Sequence, residues 1–211
     1  MQGLILQMLE GTVVSLKVFF LTLLFSLPLG FVVAKGKMTR IKPIRWITDF
    51  YIQIMRGTPL ILQLIFFYFA PFYIFGASYD RFTACIVAFV VNYSAYFAEI
   101  YRSGLQSIDR GQHEAAKVLG FSKVYTFFVI ILPQVIKRIL PALGNEVITL
   151  VKDTALAQTI GVAELFRVAQ TASSREFSTV PIFIAGVFYF VMNYIVSRLF
   201  SLGEKKLGYY R

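Results

Sequence analysis

Glu146, Lys152, Asp153 and Glu164 stand in or beside strongly apolar stretches, where side chains able to do chemistry are few. What they could do there is hold charge: a carboxylate in such surroundings attracts an ammonium or guanidinium group, or pairs with a cation of the protein itself. Glu146 and Asp153 are seven residues apart and share one helical face, with Asn145, Thr149 and Lys152 on the neighbouring one. Such a helix faces partner helices or a water-filled cavity rather than lipid. Covalent catalysis finds no support. Cys85 is the single cysteine and His113 the single histidine, which removes an internal disulfide, a Cys/His metal cluster and a histidine-activated nucleophile. No Gly-x4-Gly-Lys-Ser/Thr loop cradles a phosphate, so this chain is not expected to be an ATPase or to hold a cofactor of its own.

The elements that carry these residues are membrane helices. The chain has 211 residues, 57% hydrophobic and 15% charged, with a mean hydropathy of +0.69. Soluble domains have about 25% charged residues, so too few side chains here could solvate the surface. A net charge of +10 would fit nucleic acid only if the basic residues clustered in polar company. They sit instead at the ends of apolar runs, and no nucleic-acid partner is expected. Five segments approach the roughly 17–25 residues that a crossing needs: 11–34, 59–75, 82–101, 139–159 and 181–202. They form one domain over 1–211, with a polar loop at about 104–124. No cleavable leader is expected, because the first apolar run lacks basic residues ahead of it.

The basic residues orient the bundle. Lys35, Lys37, Arg40, Lys42 and Arg45 come after the first span; Arg110, Lys117, Lys123, Lys137 and Arg138 come after the third; Lys205, Lys206 and Arg211 end the chain. By the positive-inside bias these connections are cytoplasmic, with the N-terminus outside and the C-terminus inside. From Pro43 to Arg56 the polar and apolar residues separate at helical spacing, which predicts a helix along the interface anchored by Trp46. Gly57-Thr58-Pro59 breaks it, with Thr58 expected as N-cap and Pro59 at the first helical position of the second span. The apolar run from Val124 to Leu132 is too short to cross and is expected to end at Pro133, packed beneath the bundle. Asn92, in the middle of the third span, either bonds a neighbouring helix or lines a path. Lys17 can snorkel and Asn193 bond a neighbouring helix.

The loop after the third span has its own pattern. In the run from Gly111 to Gly120, Glu114, Lys117 and Val118 fall on one helical face, and Ala115 and Ala116 keep the helix thin. Gly120 can close that helix in a left-handed conformation and Ser122 can cap the next. This stretch resembles the cytoplasmic coupling loop, the EAA motif, of ABC importer permeases. The resemblance extends through Arg56–Leu60, Tyr96–Arg102, Leu132–Gln134, Leu140–Glu146, Lys152–Leu156 and Ile160–Leu165 to the permeases of polar amino acid uptake systems.

That resemblance implies an all-α, type I ABC importer permease (MetI-like) fold of five transmembrane helices, in a prokaryotic cytoplasmic (inner) membrane. It implies two ABC ATPase subunits that carry ATP and Mg, a second permease copy, identical or paralogous, an extracytoplasmic solute-binding protein, and an amino acid substrate crossing by alternating access. On this pattern Gly111, Glu114, Ala115, Ala116, Lys117 and Gly120 couple to the ATPase. Thr58, Asn92, Glu146, Asp153 and Glu164 are the expected path residues. Unpaired, their carboxylates would suit a cationic amino acid such as arginine, lysine or histidine, with Glu164 the expected contact; paired with basic residues on other helices, they leave glutamine-like and cystine-like substrates equally open. The alternative is a secondary transporter or channel subunit, but paired halves with matching broken helices are not visible.

Overall fold

The computed structural model describes residues 2–77 and 79–207, and every regular element among them is helical. Arg211, part of the basic tail, lies outside the described residues. In chain order the elements are α1 (Gln2–Met38), α2 (Lys42–Gly57), α3 (Leu60–Phe75), α4 (Arg81–Gln106), α5 (Arg110–Val118) and the single turn α6 (Lys123–Tyr125). Next come a π-wound turn at Thr126–Ile131, α7 (Leu132–Asp153), a 3-10 stretch at Thr154–Ile160, α8 (Leu165–Glu176) and α9 (Val180–Leu207).

Four stretches are long and apolar enough to cross a bilayer: Gly3–Met38, Arg81–Gln106, Lys123–Ile160 and Val180–Leu207. A fifth exists only if α2 and α3 are joined across a 112° bend. With 16 residues, α3 alone reaches about 24 Å, short of a hydrocarbon core of about 30 Å.

The centre of the bundle is α4. Asp80 starts it by accepting the Phe82 and Thr83 amides, each at 3.0 Å. Its Ala84, Ala88, Phe89, Tyr93 and Phe97 are buried among α1, α3 and α7. Against it lies α1, whose small residues Ser15, Thr22, Ser26, Gly30 and Ala34 recur at intervals of seven or four and are all buried. A Cβ on Gly30 would stand 2.9 Å from Phe97 Cβ and 3.0 Å from the Ser94 carbonyl, so the two backbones meet closely, as small residues permit between membrane helices.

Two local expectations are corrected. The helix of the second span begins at Leu60, and Pro59 is its N-cap: the Pro59 carbonyl accepts the Leu62 and Gln63 amides at 3.1 and 3.3 Å. Thr58 turns backwards instead, its hydroxyl donating to the Ile54 carbonyl at 2.8 Å and so closing α2. Nor does Pro133 end the run from Val124. The helix passes through it into α7, placing Lys137 and Arg138 on α7 rather than in a loop. The physical reason is the π turn just before it: Leu132 donates to Phe127 five residues back, and this wider winding absorbs the hydrogen bond that a proline cannot make.

Candidate functional site

The polar loop folds as a capped hairpin. Asp109 accepts the Gly111 amide at 2.6 Å and starts α5; Ser122 accepts the Tyr125 amide at 3.2 Å and starts α6. Gly120 joins them at φ 77°, a left-handed conformation that costs glycine little. Gly111, Glu114, Ala115, Lys117 and Gly120 are all exposed, while Val118 and Leu119 are 87% and 69% exposed and form an apolar tip. Ala116 differs: it is 2% exposed and turned into its own chain. Smallness at position 116 therefore serves the packing of the hairpin on its own chain. Behind the hairpin, Gln134 bonds Gln112 at 3.2 Å and the Arg138 guanidinium donates to the Ser107 carbonyl, tying the loop to α7.

The expected path residues do not converge on one site. Asn92 is 4% exposed and donates to the Met55 carbonyl at 3.0 Å and to Gln63 Oε1 at 2.8 Å. Gln63 donates in turn to Met55, to the Thr58 carbonyl and to the Thr58 hydroxyl at 2.8 Å. Asn92 and Thr58 thus belong to one clamp on the bend between α2 and α3. Gln63 is its hub, and the sequence signal for it was a glutamine four residues beyond the helix-breaking Pro59.

Glu164 is the clearest correction. It is fully buried and caps α8, accepting the Phe166 and Arg167 amides at 2.7 Å each, the Tyr189 hydroxyl at 2.8 Å and the Ser15 hydroxyl at 3.4 Å. Burial pushes its carboxyl above the usual range, against the opposing pull of those donors. A group so enclosed is not open to a passing solute in this conformation.

Glu146 and Asp153 remain on the partly exposed face of α7, with Asn145 and Lys152 exposed beside them. Asp153 accepts the Tyr93 hydroxyl at 2.7 Å. Sequence reasoning passed over Glu99, which gathers Lys37 at 2.6 Å, Arg102 at 2.8 Å and Arg56 at 3.7 Å, while Lys37 also reaches Asp49 at 3.1 Å. This knot holds the ends of α1 and α2 against α4. The readable sign was a carboxylate inside a span with an arginine three residues on.

A bundle of apolar helices, with one buried polar clamp, one charged knot and one exposed capped hairpin, defines a multi-pass membrane protein. Residues 26–209 match the family described as binding-protein-dependent transport system inner membrane component, and the chain belongs to that family. It is 38% identical to the arginine transport system permease protein ArtQ of Bacillus subtilis (strain 168), covering 94% of this chain and 91% of that protein. It is also 38% identical to a putative glutamine transport system permease protein of Rickettsia felis, over 96% and 94% of the two. The L-cystine transport system permease protein TcyB of Bacillus subtilis is 36% identical, over 95% and 86%. Among solved structures, an amino acid ABC transporter crystallised with histidines superposes with a TM-score of 0.87 at 40% identity, over 95% and 94% of the chains. The MetNI methionine ABC transporter in an inward-facing form gives 0.74 at 18%, a likeness of fold.

Proposed function

We propose that this chain is the membrane subunit of an ATP-driven amino acid uptake system, in which the α5–α6 hairpin receives the stroke of a separate ATPase and the bundle alternates its access. One observation carries the coupling reading: a short helix capped at its start and closed by a left-handed glycine, whose apolar tip is left uncovered by the described residues. Relatives named for arginine, glutamine and cystine support an amino acid cargo. On this reading two ATPase subunits sit at the hairpin, a second permease copy covers the polar face of α7, and an external binding protein delivers the solute. Glu146 and Asp153 line the path; Thr58, Asn92 and Glu164 form the framework around it. A basic cytoplasmic side gives the N-terminus outside and the C-terminus inside.

The test is uptake of labelled L-arginine, L-glutamine and L-cystine into proteoliposomes holding the assembled complex. ATP-dependent uptake is expected, lost when the ATPase partner is inactivated with the ion gradient intact. Uptake that tracks the gradient and ignores ATP would establish a secondary transporter instead.

A further inference from the structure

A cleft of about 390 Å3 opens on the side of the bundle between α1, α7 and α9, with Phe20, Leu23, Leu143, Val147, Val196 and Leu199 among its walls. The two hydroxyls that reach it are already engaged: Ser15 donates to Glu164 at 3.4 Å and Thr154 to the Val151 carbonyl at 2.8 Å. A cleft so dry offers nothing to the charges of an amino acid and little to water, but it suits hydrocarbon. Along α1 it runs from Leu16 to Leu27 and along α9 from Met192 to Phe200, about 16 and 12 Å. One leaflet of a hydrocarbon core of about 30 Å is of that depth. On α7, Leu143, Val147 and Val151 recur every fourth residue, on the side opposite Asn145, Thr149 and Lys152. A second copy seated on the polar face of α7 therefore leaves the cleft open to lipid.

A cation stands beside this cleft. Arg198 is exposed on α9, three residues after Ile195 and one before Leu199, both of which line the cleft. It lies seven residues before Lys205, so about 10 Å inside the basic end of the helix. Its side chain folds toward the start of α9: Nε donates to the Tyr194 hydroxyl at 3.0 Å, and the guanidinium lies 5.4 Å over the Tyr194 ring. No carboxylate pairs with it among the described residues, and its other N–H groups face outward. A cation at that depth is costly without a counter-ion, and a phosphodiester accepts a guanidinium through two parallel hydrogen bonds. Lys205 and Lys206 against Glu204 keep this end of α9 cationic, which favours a headgroup of net negative charge. We propose that the cleft seats one acyl chain of an anionic phospholipid whose phosphodiester is held by Arg198, with Tyr194 fixing the guanidinium. The site lies apart from the solute path, and it rests on the chain's place in a membrane rather than on the uptake reading.

The experiment places the full chain, with its co-purifying subunits, in phosphatidylcholine nanodiscs holding a small amount of phosphatidylglycerol whose acyl chain carries a diazirine. Irradiation and peptide mapping should show saturable labelling around Leu23, Val147 and Val196, displaced by unlabelled phosphatidylglycerol. Phosphatidylcholine bearing the same diazirine chain should label these positions about fivefold less, the effect of one basic residue on an anionic lipid. Arg198→Gln should lower cleft labelling by phosphatidylglycerol about tenfold and erase the difference between the two headgroups, which a merely structural role would not do. Labelling of Phe66 and Phe69, exposed on α3, should stay as in wild type and serves as the measure of bulk lipid contact. Val196→Trp, which fills the cleft, should remove the saturable labelling with Arg198 still present. Should that variant fail to fold, Arg198→Gln, at an exposed position, still decides. Cleft labelling that rises linearly with the probe, that is equal for the two headgroups in wild type, or that is unchanged in Arg198→Gln overturns the site. A wild-type cleft that stays unlabelled while Phe66 reacts is covered by protein, a second copy or another subunit, and overturns it as well.

Discussion

A carboxylate surrounded by four donors and shut from water is a structural group, and at the scale of one residue Glu164 gives the fold a pH dependence of its own. Its folded carboxyl stands above the ordinary 4.5 because burial outweighs the donors. As pH rises past that value the unfolded carboxyl loses its proton while the folded one keeps it, so stability declines from there until the folded group ionises, and is level above. Glu164→Gln should flatten that decline. Glu164→Ala should lower stability at every pH, by about 1–3 kcal/mol, through loss of the α8 cap and the stranding of its donors. Thermal unfolding of the purified complex from about pH 4 to about pH 8 measures both; a Gln variant whose profile parallels wild type would assign the slope to another group. The sequence marks Glu164 only as an acid after a glycine. Its partners Ser15 and Tyr189 come from helices 149 and 25 residues away, and no local pattern announces contacts of that separation.

At the scale of elements, the hairpin and the bend behave differently because one is exposed and the other is tied. Ala115→Trp should leave folding intact yet lower transport and ATP hydrolysis together, whereas Ala116→Trp, at a 2% exposed position, should reduce the yield of folded complex. Co-purification of the ATPase separates them, and an Ala115→Trp complex with normal uptake would end the docking assignment. The bend between α2 and α3 is held by Gln63, which bonds both sides of it, and by Asn92, so it should act as a rigid joint. Spin labels at the exposed Gln53 and Leu62 should report one distance in all nucleotide states; Asn92→Ala, which strands buried partners, should broaden that distance and cost about 1–3 kcal/mol in thermal stability. Much of this was legible: hydrophobic length marked the spans, and Gly120 and Ser122 were punctuation for a hairpin, while the Asp109 cap emerged only with the structure. The backward turn of Thr58 was not, because a threonine before a proline serves either flanking helix equally well. Nor was passage through Pro133, since the π turn that permits it has no distinctive residue pattern.

For the whole molecule, the charge distribution sets which way the bundle sits in the membrane. The end where α1 stops and α2 starts carries Lys35, Lys37, Arg40, Lys42 and Arg45 against Asp49, and the hairpin and the end of α9 add Arg110, Lys117, Lys123, Lys205 and Lys206. At the opposite end Arg81, Arg167 and Arg175 are offset by Asp80, Glu164 and Glu176. Cations close to the span ends resist translocation, so the heavily basic end should face the cytoplasm. The chain suits a direct test, because its sole cysteine, Cys85, is fully buried and should be silent toward a thiol reagent. Cysteines placed at Gly3, Val118 and Glu204, each exposed, give three reporters. In intact cells a membrane-impermeant maleimide should label Gly3→Cys alone, and only after lysis should Val118→Cys and Glu204→Cys react. A bound ATPase should then protect Val118→Cys and leave Glu204→Cys open, which links orientation to docking in one measurement. Labelling of Val118→Cys in intact cells would invert the bundle and place the hairpin where no cytoplasmic ATPase could reach it.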